Sequence, residues 1–233
     1  MIESVHSGAA CRWLHETLET LPLIRYPFDR EALPINGVYF VYEEREIWGH
    51  GGIRPRIVRV GTHRDGNFRK RIAEHFLLDV SKMEFDATKP APKDRSIFRK
   101  NIGRALLRQQ ADPYLEIWNV DLTGANMRKR CAARRDIARE KEIESAVTRR
   151  IRERFGFRVL PVDTENERLG TSGLERACIG TLAHCPSCRS SESWLGRQSP
   201  VEKIRNGKLW LVQHVTAVAL TAEQQQRLCE LLG

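Results

Sequence analysis

Residues 37–42, Gly37-Val38-Tyr39-Phe40-Val41-Tyr42, form an alternating apolar and aromatic run with a turn signal before it, which predicts a strand. Residues 56–61, Arg56-Ile57-Val58-Arg59-Val60-Gly61, predict a second. Residues 43–55 between them are polar and glycine-rich (Gly49, Gly51, Gly52), a hairpin loop or an insertion. Two strands so joined most simply make an antiparallel pair, and alternation places Ile57 and Arg59 on one face of the second. The period then changes. Phe68, Ile72 and Phe76 recur at helical spacing, predicting a helix over residues 67–78 on which Arg71 and His75, four apart, share a neighbouring face. Ser96 is an N-cap for a helix to about Gln109, with Phe98, Ile102, Ala105 and Leu106 on its apolar stripe.

Further elements follow from the same patterning. Residues 9–21 read as an amphipathic helix stopped by Pro22. Residues 114–122 alternate (Leu115, Ile117, Val120) and predict a third strand. Residues 125–154 are one long charged helical stretch whose buried side is marked by Ile137, Ile143, Val147 and Ile151, with Glu140 and Glu144 beside that stripe and Glu142 pointing away. Residues 155–162 read as a strand, 174–183 as a short helix and 208–218 as a further strand. Thr221 with Gln224 is a capping box opening a closing helix. The expectation is an α/β (α+β) fold with a small central antiparallel sheet flanked by helices, divided into a helical lead-in (1–34), a core domain (35–162) and a C-terminal α/β extension packed on or beside it (163–233).

Charge narrows the partners. Among 233 residues, 39 Lys and Arg stand against 30 Asp and Glu, a formal net charge of +9. A basic surface attracts polyanions, so nucleic acid leads the candidates, with acidic membrane second. Arg99, Lys100 and Arg104 on the Ser96 helix, and Arg134 and Arg135 in the long charged stretch, are the nucleic-acid-binding candidates. A solvated, salt-bridged face is the plain alternative for that stretch. No secretory leader is expected, because the first residues lack a basic region and an apolar core. No apolar run is long enough to span a bilayer. A cytoplasmic, reducing setting is therefore expected, in which the six cysteines are free thiols or metal ligands. Cys185-Pro186-Ser187-Cys188 is half of a zinc site, and Cys178 and His184 are near enough in sequence to complete it, although their spacing matches no common ligand pattern.

In order along the chain stand Gly37-Val38-Tyr39, Arg59-Val60-Gly61, Arg71 with His75 four residues later, and Glu144 on a later helix. This set resembles the GIY-YIG nuclease family over about residues 35–162. The resemblance implies a Mg²⁺- or Mn²⁺-dependent endonuclease that hydrolyses phosphodiester bonds, with DNA the favoured substrate. Arg71 would match the family's helix arginine, His75 a histidine of some restriction-type members, and Glu144 the metal-binding glutamate, with Glu140 as the fallback. Arg59 stands where the family has its second tyrosine. This implies either a lost hydroxyl in a catalytically inactive, binding-only descendant, or a divergent subgroup in which Arg59 or nearby His63 contacts phosphate.

The chemistry those residues would perform is concrete. Arg71 offers fixed donors to phosphate oxygens. Glu144 offers a hard oxygen to Mg²⁺. Tyr39 orients or deprotonates the attacking water, and His75 positions Tyr39 or shuttles a proton. The plainer readings are a packed strand tyrosine, a surface helix pair, and a glutamate that only pairs with an arginine. Two other functions stay open: a nucleic-acid-binding protein on the same scaffold without catalysis, and a zinc-containing interaction module.

Overall fold

The computed structural model describes the backbone of residues 2–233 and the side-chain environments of residues 8–233. Among the described residues the helices are α1 (Ile2–Leu18), α2 (Phe68–Phe76), α3 (Pro92–Arg95), α4 (Ile97–Gln109), α5 (Leu115–Asn119), α6 (Ala125–Cys131), α7 (Ile137–Arg154), α8 (Glu165–Arg168), α9 (Leu174–His184), α10 (Glu202–Gly207) and α11 (Ala222–Leu232). The strands are β1 (Ile24–Arg25), β2 (Gly37–Ile47), β3 (Pro55–Gly61) and β4 (Phe155–Pro161). They form one antiparallel sheet in the order β1-β4-β2-β3. The expected α/β class with a small central antiparallel sheet is therefore the observed one.

β2 is central and buried on both faces, so the alternation of its side chains divides the interior in two. Val38, Phe40 and Tyr42 face a core completed by α1, α9 and α11. Tyr39 and Val41 face a second core built with Phe68, Ile72 and Phe76 of α2, Phe98 and Ile102 of α4, and Ile143, Val147 and Ile151 of α7. Ser96 caps α4 by accepting from Arg99 N–H at 3.3 Å, and Asp136 caps α7 by accepting from Arg139 N–H at 3.0 Å. Thr221 and Gln224 close the capping box of α11.

Four patterning expectations need correction. Residues 114–122 are not a strand but contain α5. The Asp112 carboxylate accepts from Tyr114 N–H at 2.8 Å, so an Asp-Pro turn starts a helix that buries Ile117 and Trp118. Residues 208–218 form no strand. Lys208 and His214 take left-handed conformations, and one main-chain bond, Trp210 N–H to Val58 C=O at 2.7 Å, ties the segment to β3. Residues 125–154 are two helices, since the chain turns through a 3-10 segment (Ala132–Arg134) before Asp136 restarts it. Ile57 and Arg59 do not share a face. Val41 pairs with Arg59 and Tyr42 with Ile57, so a bulge at Val58 turns Arg59 to the Tyr39 side.

The second core is tight at Gly103 of α4. A β-carbon there would lie 2.4 Å from the indole of fully buried Trp118, whose Nε1 donates to Lys100 C=O at 3.0 Å. Gly103→Ala is expected to destabilise the chain by about 1–3 kcal/mol through overpacking, despite alanine's better helix propensity. Denaturant unfolding followed by tryptophan fluorescence measures it.

Candidate functional site

The residues picked out by spacing converge on the face of the sheet that carries Tyr39. Gly61 lies opposite Tyr39 in the β2–β3 ladder, and a β-carbon at Gly61 would sit 2.2 Å from the phenol oxygen. Only glycine leaves room for the ring at that position. The Tyr39 oxygen lies 2.9 Å from His75 Nε2, and His75 Nδ1 lies 2.7 Å from Ser96 Oγ. Arg59 donates from Nη2 to the same phenol oxygen at 3.4 Å and from Nη1 to Trp210 C=O at 2.7 Å. Burial, followed by the charges of Arg59, Arg71 and Arg99, holds His75 well below the ordinary imidazole range. The ring is neutral, with one nitrogen donating and the other accepting. Tyr39, His75 and Ser96 are thus one buried hydrogen-bonded chain, with the phenol oxygen next to a guanidinium.

Glu144 stands on the inner side of α7, fully buried, with both oxygens committed. Oε1 accepts from Lys93 N–H at 2.5 Å. Oε2 accepts from Arg99 Nη2 at 2.6 Å and Nε at 3.1 Å. Glu140, one turn earlier, is likewise buried, receives two bonds from Arg135 and one from the Tyr114 hydroxyl, and offers no freer oxygen. Glu142 is exposed and pairs with Arg139. A hydrated Mg²⁺ needs a reachable carboxylate oxygen and room for several waters. Glu144, ion-paired and sealed from solvent, does not provide them in this arrangement. No described carboxylate hydrogen-bonds to Tyr39 or His75; Glu144 reaches the pair only through Arg99, which donates to His75 C=O.

Arg71 sits at the rim, half-buried. It donates to Arg95 C=O at 2.5 Å and lies 3.4 Å from Glu74. The segment 92–96 therefore touches three of the expected site residues: Arg71 through Arg95 C=O, His75 through Ser96 Oγ, and Glu144 through Lys93 N–H. His63 is half-buried beside this rim, its imidazole lowered by burial and then by the charge of Arg71. Beside α2 opens a groove of about 660 Å³ bordered by Arg30, Lys70, Lys82, Lys89 and Arg95 together with Glu74, Asp79 and Glu84.

Of the five basic residues expected to meet nucleic acid, three point inward. Arg99 is bound to Glu144, Arg135 to Glu140, and Lys100 donates to Val120 C=O at 2.9 Å; all three are buried. Arg104 is half-buried against Asn101 and Asn119, and Arg134 is exposed beside Glu116. The sequence could mark these side chains as basic, but it held no sign that buried glutamates 45 and 5 residues away would claim two of them.

Glu175 on α9 escaped the sequence reading. It accepts from Thr62 N–H at 3.2 Å, one residue past Gly61. Desolvation raises its carboxyl from 4.5 to about 7, against the opposing pull of Arg59, Thr62 N–H and Arg71. A carboxyl poised near neutrality beside a guanidinium is the kind of group that acid–base chemistry uses. Its only sequence signal was a lone acid in the first turn of a mostly apolar helix, next to Arg176. The cysteines also regroup. Cys185 and Cys188 are joined by Cys11 of α1 and His50 of the β2–β3 turn, all four ligand atoms lying within 4.8 Å of one another. Cys178, buried in the first core, and His184, at the end of α9, stand outside that group.

Two outcomes follow. Glu144→Gln leaves Arg99 buried without its counter-charge and is expected to cost about 3–5 kcal/mol, whereas exposed Glu142→Gln should stay within about 0.5 kcal/mol of the parent; urea titration of both separates them. A raised carboxyl binds its proton more tightly folded than unfolded. The contribution of Glu175 to stability is therefore full below pH 4.5 and is lost as pH rises through about 7. Across that window the parent should lose about 3 kcal/mol that Glu175→Gln does not lose, read as converging unfolding midpoints on one side of it and diverging midpoints on the other.

The chain was also compared with known proteins. The family model described as GIY-YIG domain matches residues 13–229. No curated protein and no solved structure gives a significant match. No helix among the described residues is long and apolar enough to cross a membrane. The match covers nearly the whole chain and includes the Tyr39, Gly61, Arg71, His75 and Glu144 positions, so the chain belongs to the GIY-YIG nuclease family.

Proposed function

We propose that this chain is an endonuclease that hydrolyses phosphodiester bonds in DNA with a divalent cation, Mg²⁺ or Mn²⁺, and that Tyr39, His75, Arg59 and Arg71 are its working residues. Family membership implies nuclease activity and a nucleic-acid substrate in general terms. The observation that carries the finer reading is the 2.9 Å bond between the Tyr39 oxygen and His75 Nε2, on a phenol that Arg59 also approaches. A neutral imidazole on one side and a guanidinium on the other fix the direction of the phenol lone pairs. Tyr39 can then orient a water for in-line attack on phosphorus. Arg71, at the rim, supplies fixed donors for the phosphate oxygens as negative charge builds on them. Phosphate would replace the Arg95 carbonyl that Arg71 now holds. The groove beside α2, with five basic residues against three acidic ones, extends the surface a DNA backbone would follow. Nucleases of this family are generally divalent-metal dependent. Glu144 is committed to Arg99, so the chemistry of this chain's own residues is positioning by Tyr39 and His75 and charge stabilisation by Arg71.

One observation favours a second reading, a nucleic-acid-binding protein without catalysis. Tyr39 and His75 are each 1% exposed and Glu144 is fully buried, so the whole network is closed to substrate. One experiment separates the two. Folded parent, Tyr39→Phe and Arg71→Met proteins are incubated with supercoiled plasmid and Mg²⁺ or Mn²⁺, and DNA binding is measured in parallel. The nuclease reading expects nicking by the parent, about 10²–10³ slower in either variant, with binding held by Tyr39→Phe. A parent that binds DNA with a strong salt dependence but never nicks it establishes the second reading. Equal nicking by Tyr39→Phe removes Tyr39 from the mechanism.

A further inference from the structure

On the sheet face opposite Tyr39, the structure assembles a group the nuclease reading does not use. Cys11 comes from α1, His50 from the tip of the β2–β3 connection, and Cys185 and Cys188 from the loop after α9. The Cys11 and Cys188 sulfurs are 3.7 Å apart, and the Cys185 sulfur is 3.4 Å from His50 Nε2. A tetrahedral zinc with Zn–S of about 2.3 Å and Zn–N of about 2.0–2.1 Å has S···S edges of about 3.8 Å and S···N edges of about 3.6 Å. A disulfide would bring sulfurs to about 2.05 Å, and all the cysteines here are free. The two closest separations match such edges, and all four ligand atoms lie within 4.8 Å of one another.

The surroundings are built for thiolates. Cys188 N–H points to the Cys185 sulfur at 3.4 Å, and Gly49 N–H to the Cys188 sulfur at 3.4 Å. Gly49 must be glycine for this approach, because a β-carbon would lie 1.7 Å from Ser187 C=O. The Lys208 ammonium sits on Cys185 C=O at 3.0 Å, placing a positive charge beside the cysteine pair. His15, the other nearby imidazole, is excluded as a ligand. Its Nδ1 bonds Cys11 C=O at 2.9 Å and its Nε2 accepts from Ile57 N–H at 3.1 Å, so both nitrogens are occupied. That same bond holds the turn of α1 that carries Cys11.

We propose that Cys11, His50, Cys185 and Cys188 form a closed Cys₃His zinc site that staples α1, the β2–β3 connection and the loop after α9 to one another. Three soft thiolates and one imidazole suit Zn²⁺, which has no geometric preference to oppose a tetrahedron. The three cysteines are buried and His50 is half-buried. All four positions are filled by protein, the mark of a structural rather than a catalytic zinc. The site is independent of the nuclease proposal and lies on the other side of β2.

The test is metal content, with no cleavage assay involved. The full chain, purified without chelator from cells grown with zinc, should carry one equivalent of zinc by inductively coupled plasma mass spectrometry. Apo protein refilled with Co²⁺ should show the thiolate charge-transfer band and intense d–d bands of a tetrahedral sulfur-rich site. His50→Ala, at a half-buried turn position, is the variant least apt to disturb folding. It should lose zinc to a competing chelator more readily than the 10–100-fold that loss of an outer partner costs, while His50→Cys, which restores a fourth ligand, should retain it. Cys188→Ser should bind substoichiometrically. Zinc-free parent protein whose cobalt titration lacks these bands overturns the proposal. So does a His50→Ala or Cys188→Ser protein that holds zinc as tightly as the parent.

Discussion

The ion pair between Glu144 and Arg99 organises the half of the molecule that faces Tyr39. Two opposite charges are removed from water completely, at a desolvation cost that only close geometry and full hydrogen bonding can offset. Both conditions are met. Arg99 places Nε and Nη2 on one carboxylate oxygen, and Lys93 N–H satisfies the other. The remaining guanidinium donors go to His75 C=O, Glu144 C=O and the Thr148 hydroxyl. One buried arginine on α4 thereby fixes α7, the end of α2 and, through the carboxylate, α3. The position of His75, and with it the orientation of the Tyr39 phenol, inherits that rigidity. The same commitment occupies both carboxylate oxygens of Glu144 and every terminal nitrogen of Arg99.

The sequence made some of this legible and not the rest, for physical reasons. Strand β2 could be read because a strand buried on both faces is written as a continuous apolar and aromatic run. Helices α4 and α11 could be read because their caps are local signals, and α2 because Phe68, Ile72 and Phe76 recur at helical spacing. Residues 114–122 misled because Leu115 and Ile117 flank Glu116 as in a strand, while the deciding bond, from Tyr114 N–H to the Asp112 carboxylate, is a turn contact that periodicity does not register. Glu144 could be placed beside the apolar stripe of α7, but its partner lies 45 residues away, on a helix whose basic residues pattern alone marks as candidates for nucleic acid. Long-range pairing of charges leaves no mark on hydrophobic period. The cysteine cluster shows the same limit. Cys185 and Cys188 announce themselves by spacing. Cys11 is separated from Cys188 by 177 residues, and only the packing of α1 on α9 brings it near.

Arg59 reaches Tyr39 for a reason that simple alternation would have missed. On a regular strand Ile57 and Arg59 would occupy one face. The extra residue Val58 breaks the ladder, leaves Ile57 in the core under α1 and α9, and turns Arg59 toward the phenol. The outer edge of β3, the end strand of the sheet, is covered at the bulge by Trp210, whose N–H bonds Val58 C=O and whose C=O accepts from Arg59. Residues well beyond the core motifs therefore complete the setting of the candidate site, in keeping with a family match that runs to residue 229.

β2 separates two chemically different environments with a single layer of backbone. On one side a phenol, an imidazole and a guanidinium share one oxygen; on the other, three thiols and an imidazole converge. Consecutive residues serve both, since Tyr39 faces the first while Val38 and Phe40 pack into the core that carries the cysteines. β3 joins them as well, because Ile57 N–H bonds His15, which anchors the Cys11 turn, and two residues later Arg59 holds Tyr39. A staple on the cysteine side restrains α1 and the β2–β3 connection, and so limits sliding of the very hairpin whose register sets Tyr39 opposite Gly61. A one-residue slip in that hairpin would move Tyr39 to the wrong face and drive its ring from the only position with room for it. The register is thus held from both faces, by the cysteine side through His15 and Ile57 and by the Tyr39 side through Gly61 and Arg59.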